Sequence, residues 1–134
     1  VRLGIIGNKY YYKKLEIKEF LWKIKQRNDD EIKVISIGRK SGADKYIRDY
    51  CLQFNINYGE FIPYHENYNS FCIEERYMFS REYSPKYYFA IYKRFVDYCD
   101  NFVIFEYSSK RDDVVTRILK TINKQNKYHV ILQE

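Results

Sequence analysis

Ile32-Lys33-Val34-Ile35-Ser36-Ile37-Gly38-Arg39-Lys40-Ser41-Gly42-Ala43-Asp44 carries two structural signals back to back. The run 32–37 is rich in β-branched residues and stops at a glycine, which reads as a buried strand. Beyond the second glycine, Ala43, Tyr46, Ile47, Tyr50, Cys51 and Phe54 recur at offsets of 3, 4, 7, 8 and 11, the spacing of one helix face. A strand that passes through a short glycine-flanked turn into a helix is the first half of a βαβ unit. The rest of the chain is read outward from it.

Upstream, 2–7 is a short apolar run ending in Gly7-Asn8, and 15–27 has apolar residues at 17, 20, 21 and 24: a strand and an amphipathic helix. Asn28-Asp29-Asp30 is a polar stop. Downstream, 58–62 reads as a strand closed by Pro63, 86–98 as a helix, 101–107 as a strand, 114–124 as a helix and 128–132 as a last strand. Residues 64–85 show neither period strongly and read as a long loop with one helical turn. Strands separated by single helices imply right-handed crossovers and a mostly parallel sheet covered on both faces. We therefore expect one α/β domain over 1–134, three-layered and Rossmann-like, with five strands in the order 3-2-1-4-5.

The 134 residues suffice for one self-sufficient core. Hydrophobic residues at 46% and charged residues at 31% argue against disorder. No apolar run is long enough to span a bilayer, and nothing reads as a signal peptide, so a cytoplasmic protein is expected. Three widely spaced cysteines (Cys51, Cys72, Cys99) without a CxxC pair fit buried thiols in a reducing compartment; no metal or cofactor is expected. The net charge of +6 and the 16 tyrosines invite a nucleic-acid reading. Two observations weaken it. Lys, Asn, Ile, Tyr and Phe supply 65 of the 134 residues, the mark of an AT-rich coding bias. The whole net charge also falls within 1–28, where Lys14, Lys18 and Lys25 form one helix stripe, the usual place for solvated lysines.

In a doubly wound sheet, ligands bind beyond the carboxyl ends of the strands. After the first strand, Gly7, Asn8 and Lys9 offer a close backbone approach and donors for a phosphate or carboxylate. After the second, Gly38, Arg39, Lys40, Ser41, Gly42 and Asp44 place two cations and a hydroxyl at a helix start, where the helix dipole favours an anion. A capped turn with solvated cations is the alternative. After the fourth strand, Glu106 stands where a ribose-binding or catalytic carboxylate is often found. Ser108, Ser109 and Lys110 could close on a phosphate, and Asp112 and Asp113 suit the first turn of the next helix. His65 has no partner that would make it catalytic, and His129 sits in the last strand.

These residues resemble the SLOG superfamily, the Rossmann-like group named for the Smf/DprA and lonely-guy proteins, and within it the small YspA/YpsA-like branch common in bacteria and phages. Ile5-Ile6-Gly7-Asn8-Lys9 is similar to that branch's opening strand and "TGSR"-type turn. The stretch from Gly38 to Asp44 resembles its "GGxxGAD" loop, with Arg39 replacing the second glycine. Phe61-Ile62-Pro63-Tyr64 is similar to its "F-P-A" strand end. Arg94-Phe95-Val96-Asp97-Tyr98-Cys99-Asp100 followed by Phe102-Val103-Ile104-Phe105 resembles its helix-Asp-strand unit. Two departures stand out. Ile91-Tyr92 occupies the usual Arg-Asn position. Ser109-Lys110-Arg111-Asp112 lacks the Gly-Thr of a phosphate loop, so that half of the site is expected to take a different or less anionic ligand. The Pro-Gly-Gly-x-Gly-Thr-x-x-Glu motif of the lonely-guy phosphoribohydrolases is absent.

The resemblance implies a site for a nucleotide or nucleotide-derived small molecule, which the protein would sense or sequester. The alternatives are a small hydrolase or glycosidase cleaving an N-glycosidic or phosphate bond with Glu106 as its carboxylate, and a nucleic-acid binder resting on the basic stripe, on Tyr10-Tyr11-Tyr12 and on the aromatic loop 64–88. The aromatic-rich stretch 64–88 is expected to pack on its own domain and to carry some homodimer contact. No membrane partner is expected.

Overall fold

The computed structural model describes residues 1–28 and 31–133. In chain order it comprises β1 (Arg2–Gly7), α1 (Lys14–Asn28), β2 (Lys33–Ser36), α2 (Ala43–Gln53), β3 (Asn57–Glu60), α3 (Lys86–Tyr98), β4 (Asn101–Glu106), α4 (Asp113–Lys124) and β5 (Tyr128–Gln133). Of the expected polar stop, Asp29 and Asp30 lie outside the described residues. All strand pairs are parallel, and the sheet order is β3-β2-β1-β4-β5. The fold is Rossmann-like, as the alternation of strand and helix signals requires.

Successive residues of the central strands face opposite sides of the sheet. Ile5, Val34 and Val103 enter one core with Ile17 and Leu21 of α1 and Ile47 and Cys51 of α2. Their neighbours Ile6, Ile35 and Ile104 enter the other with Phe95 of α3 and Ile118 and Ile122 of α4. Cys51 and Cys99 are fully buried free thiols, and burial pushes both well above the usual thiol range. Among the described residues no helix is long and apolar enough to cross a membrane.

Two features of the fold set up the site. A Cβ on Gly7 would stand 2.3 Å from the Cβ of Ala43, so the bare backbone at the end of β1 lets the start of α2 press against it. Gly38 has φ +65°, a left-handed turn that a side chain resists, and carries the chain away from β2 over Glu60 and Ile62.

The segment 64–85 contains one short 3₁₀ turn, Arg76–Met78, in line with the single turn expected. It packs on its own domain: Tyr64 and Phe79 form a small third core with Ile62. It also covers the free edge of β3, since Glu60 N donates to Phe71 O (2.9 Å) and Ile73 N donates to Glu60 O (3.0 Å). Strand β3 is shorter than the expected 58–62. Phe61 still donates to Ser36 O (3.0 Å), but the chain then turns away at Pro63.

Candidate functional site

The loops after β1, β2 and β4 meet around Arg39. Its Nε lies 2.5 Å from Asp44 Oδ2, its Nη2 2.9 Å from Asp112 Oδ2, and Nη2 also donates to Gly7 O (2.7 Å). Both acids are almost fully buried and are held from the backbone as well. Asp44 Oδ1 accepts from Gly7 N (3.0 Å). Asp112 caps α4 by accepting from Val114 N (3.1 Å) and ties down the β1 loop by accepting from Lys9 N (2.9 Å). One guanidinium thus fastens three loops. Burial alone would ease its deprotonation, but the attraction of Asp44 and the bonds to Asp112 and Asp44 outweigh that and keep it charged. Burial raises the Asp44 carboxyl above the ordinary range against the pull of Arg39. Burial pushes Asp112 the same way, but its bonds to Arg39, Lys9 N and Val114 N carry it below that range.

A second knot closes the topological switch point between β1 and β4. The fully buried Asn8 donates from Nδ2 to Glu106 Oε1 (2.6 Å) and to Lys110 O (2.8 Å), and accepts from Tyr10 N (2.8 Å). Glu106 Oε1 also accepts from Tyr107 N (2.9 Å). Asn8 therefore bonds the protein's own loops with both ends of its amide. Lys9, Ser108, Ser109 and Lys110 stand exposed around this knot, and Lys110 Nζ lies 4.7 Å from the centre of the Tyr10 ring.

Open space lies farther along the sheet edge, on both sides of the turn after β2. A polar cavity of about 250 Å³ is lined by Gly38, Arg39 and Lys40 with Lys45 and Arg48 of α2, Glu60 and Asn69. A more apolar cavity of about 320 Å³ shares Gly38, Arg39, Lys40 and Glu66, and is walled by Ile37, Pro63, Tyr88, Ile91 and Tyr92. Lys40 is exposed and lies 3.2 Å from Glu66 Oε1. Glu60 is buried and accepts from Arg48 (3.2 Å), Tyr58 Oη (2.8 Å) and Asn69 (2.9 Å). Burial first, then the nearby Glu60 charge, push the Tyr58 hydroxyl far above its usual range, so it serves as a permanent donor.

Of the residues singled out from sequence, the structure gathers Gly7, Arg39 and Asp44 into one ion network and Asn8 and Glu106 into a separate hydrogen-bonded one. Gly38 and Lys40 line the two cavities. Ser41 is exposed, and Gly42 stands at the start of α2 without a side-chain cap. Glu60, Tyr88 and Tyr92 were not among the candidates. A charge inside the apolar run 58–62 is the signal that marks Glu60, since such a residue must find partners at a strand end. No comparable signal separates Tyr88 and Tyr92 from the many other tyrosines. No protein-family model matches the chain, and no curated protein matches it.

Proposed function

We propose that the protein binds a nucleotide-derived small molecule across the turn formed by Gly38, Arg39 and Lys40. The carrying observation is the pair of cavities that share this turn, one polar and cation-lined and the other aromatic and apolar. Such a division suits a ligand with an anionic end and a flat ring system. Lys40, Lys45 and Arg48 would meet the anionic end, and Tyr88 and Tyr92 would meet the ring. Glu60, Glu66 and Asp49 temper the polar side, which favours a group of modest charge with hydroxyls to donate, as in a ribose phosphate. The knots at Arg39 and Asn8 support a seat on the β2–β3 side of the sheet edge rather than over β1 and β4. Neither cavity reaches Glu106, and its Oε1 already takes two bonds, so a bond-cleaving role for that carboxylate gains no support. Kinship with the SLOG group, carried by the stretch from Gly38 to Asp44 and by the unit from Arg94 to Phe105, belongs to the same proposal.

Calorimetric titration against nucleoside mono- and diphosphates, cyclic nucleotides and ADP-ribose tests the reading. At least one should bind at micromolar to sub-millimolar concentration. Lys40→Ala combined with Lys45→Ala should weaken it by about tenfold, the size of one charge-assisted contact. A full panel without binding at millimolar ligand would sink the reading.

A further inference from the structure

A second groove, of about 470 Å³, runs between α3 and α4 on the outer face of the molecule. Lys93, Arg111, Arg117, Lys120 and Lys124 line it against a single carboxylate, Asp113. Lys93 pairs with Asp97 (2.8 Å) and Arg111 with Asp113 (3.0 Å). Arg117, Lys120 and Lys124 have no ion pair among the described residues. Spaced three and four apart on α4, they form one exposed stripe. Across from them Phe89 of α3 remains 49% exposed, with the Arg117 guanidinium 4.4 Å from its ring centre.

The basic helix α1 offers an instructive contrast. Its Lys23 pairs with Glu19 (3.1 Å), and Lys14 and Lys18 lie over the rings of Tyr46 and Tyr50. Those lysines are engaged on the protein's own surface. On α4, Arg117 lies likewise over the Phe89 ring, while Lys120 and Lys124 face the open groove with neither an ion pair nor a ring contact among the described residues.

We propose that the α3–α4 groove binds single-stranded nucleic acid, with phosphates on Arg117, Lys120 and Lys124 and a base against Phe89. Unpaired cations in a row supply the sequence-independent grip, and an exposed aromatic beside them supplies a stacking platform. An acidic peptide would use the cations and leave Phe89 without a role. A lipid surface needs a broader apolar face than one phenylalanine provides. This site lies apart from the small-molecule seat and does not depend on it.

Fluorescence anisotropy of a labelled 20-nucleotide oligothymidylate with the full chain tests the proposal. Binding should weaken by about tenfold or more between 50 and 200 mM salt, as expected for roughly three phosphate contacts. Lys120→Ala with Lys124→Ala should weaken binding at least tenfold and flatten the salt dependence. Phe89→Ala should weaken the single strand about fivefold or more while leaving a duplex of the same length unaffected. These side chains are exposed, so the variants should melt with the wild type, and Lys40→Ala should bind the strand normally. Absence of binding at 50 mM salt, or binding indifferent to the double variant, would overturn the proposal. So would polyglutamate competing as well as unlabelled oligonucleotide with Phe89→Ala silent, because that outcome describes an acidic-peptide groove.

Discussion

Arg39 and Lys40 are neighbours in one turn, carry the same charge, and do opposite work. Arg39 points inward, has 22% of its side chain exposed and is shared by two buried carboxylates and a backbone carbonyl. Lys40 points outward, is 83% exposed and has one ion-pair partner among the described residues, the largely covered Glu66. The same division runs through the carboxyl edge of the sheet. Over β1 and β4 the buried polar groups satisfy one another, and Lys9, Ser108, Ser109 and Lys110 stand exposed outside that network. Over β2 and β3 the polar groups border open cavities. A cation in a glycine-rich turn is therefore not evidence of an anion site until its side chain is known to face outward. A planar guanidinium suits a bidentate structural clamp, whereas the lysine is a point charge on a flexible stem.

The strongest way to break this contrast is to remove the clamp. Arg39→Ala would leave the buried Asp44 and Asp112 without their counter-ion, a loss of about 3–5 kcal/mol. Urea denaturation of the variant should show it directly. Stability within about 1 kcal/mol of wild type would mean that the three loops are held by something else, and the division between closed and open halves would fall.

A second test uses pH. The Asp112 carboxyl lies below its ordinary range in the folded protein, against about 3.9 when unfolded. A lowered carboxyl contributes stability that is fully present above its unfolded pKa and is lost as pH falls through the folded value. Asp112→Asn should be less stable than wild type at pH 7 by about 1.5–3 kcal/mol, the worth of a hydrogen bond to a charged group. The gap should narrow as pH drops below about 4. Asp44, raised by burial, works in the opposite sense and cannot produce this narrowing. A gap independent of pH would show that Asp112 acts only as a helix cap, a part that asparagine plays equally well.

Asn8→Ala addresses the other knot. It removes the donations to Glu106 Oε1, Lys110 O and, at 3.5 Å, Tyr107 O, together with one acceptance, at the β1–β4 switch point. Thermal or urea unfolding should register a loss of about 1–3 kcal/mol, since Lys110 O and Tyr10 N lose a partner in a part-buried setting.

The layered fold was legible because it rests on periodicity, which sequence displays. The offsets from Ala43 to Phe54 and the apolar runs at 2–7 and 101–107 produced α2, β1 and β4 with errors only at strand ends. The meeting of the loops after β1, β2 and β4 was legible, but the partners of their side chains were less so. Gly38 and Gly42 marked the turn correctly, because glycine at positive φ leaves a trace in the sequence. The pairing of Arg39 with Asp112 left none. The two residues are 73 positions apart, and they meet only because β2 and β4 both flank β1. Asp112 could be read as a helix-start residue, and it does cap α4, but its second task is visible only once the strand order is known. Asn8 resembled a ligand donor for the same reason: an amide at a strand end has the same chemistry whether it meets a ligand or a neighbouring loop.

The smallest effect sharpens the contrast most. Lys40→Ala removes a cation one residue from Arg39, yet its pair with Glu66 is exposed on the lysine side, and such pairs contribute between nothing and about 1 kcal/mol. Stability should stay within about 0.5 kcal/mol of wild type, as for most surface substitutions. Whatever Lys40 does must then appear in binding. If ligand affinity falls while the unfolding curve stays put, the two faces of the turn separate into a structural half and a recognition half. If instead Lys40→Ala unfolds at markedly lower urea, Glu66 is the reason. Its Oε1 is buried and makes no hydrogen bond among the described residues, so Lys40 would be the group that keeps that carboxylate tolerable beneath the turn.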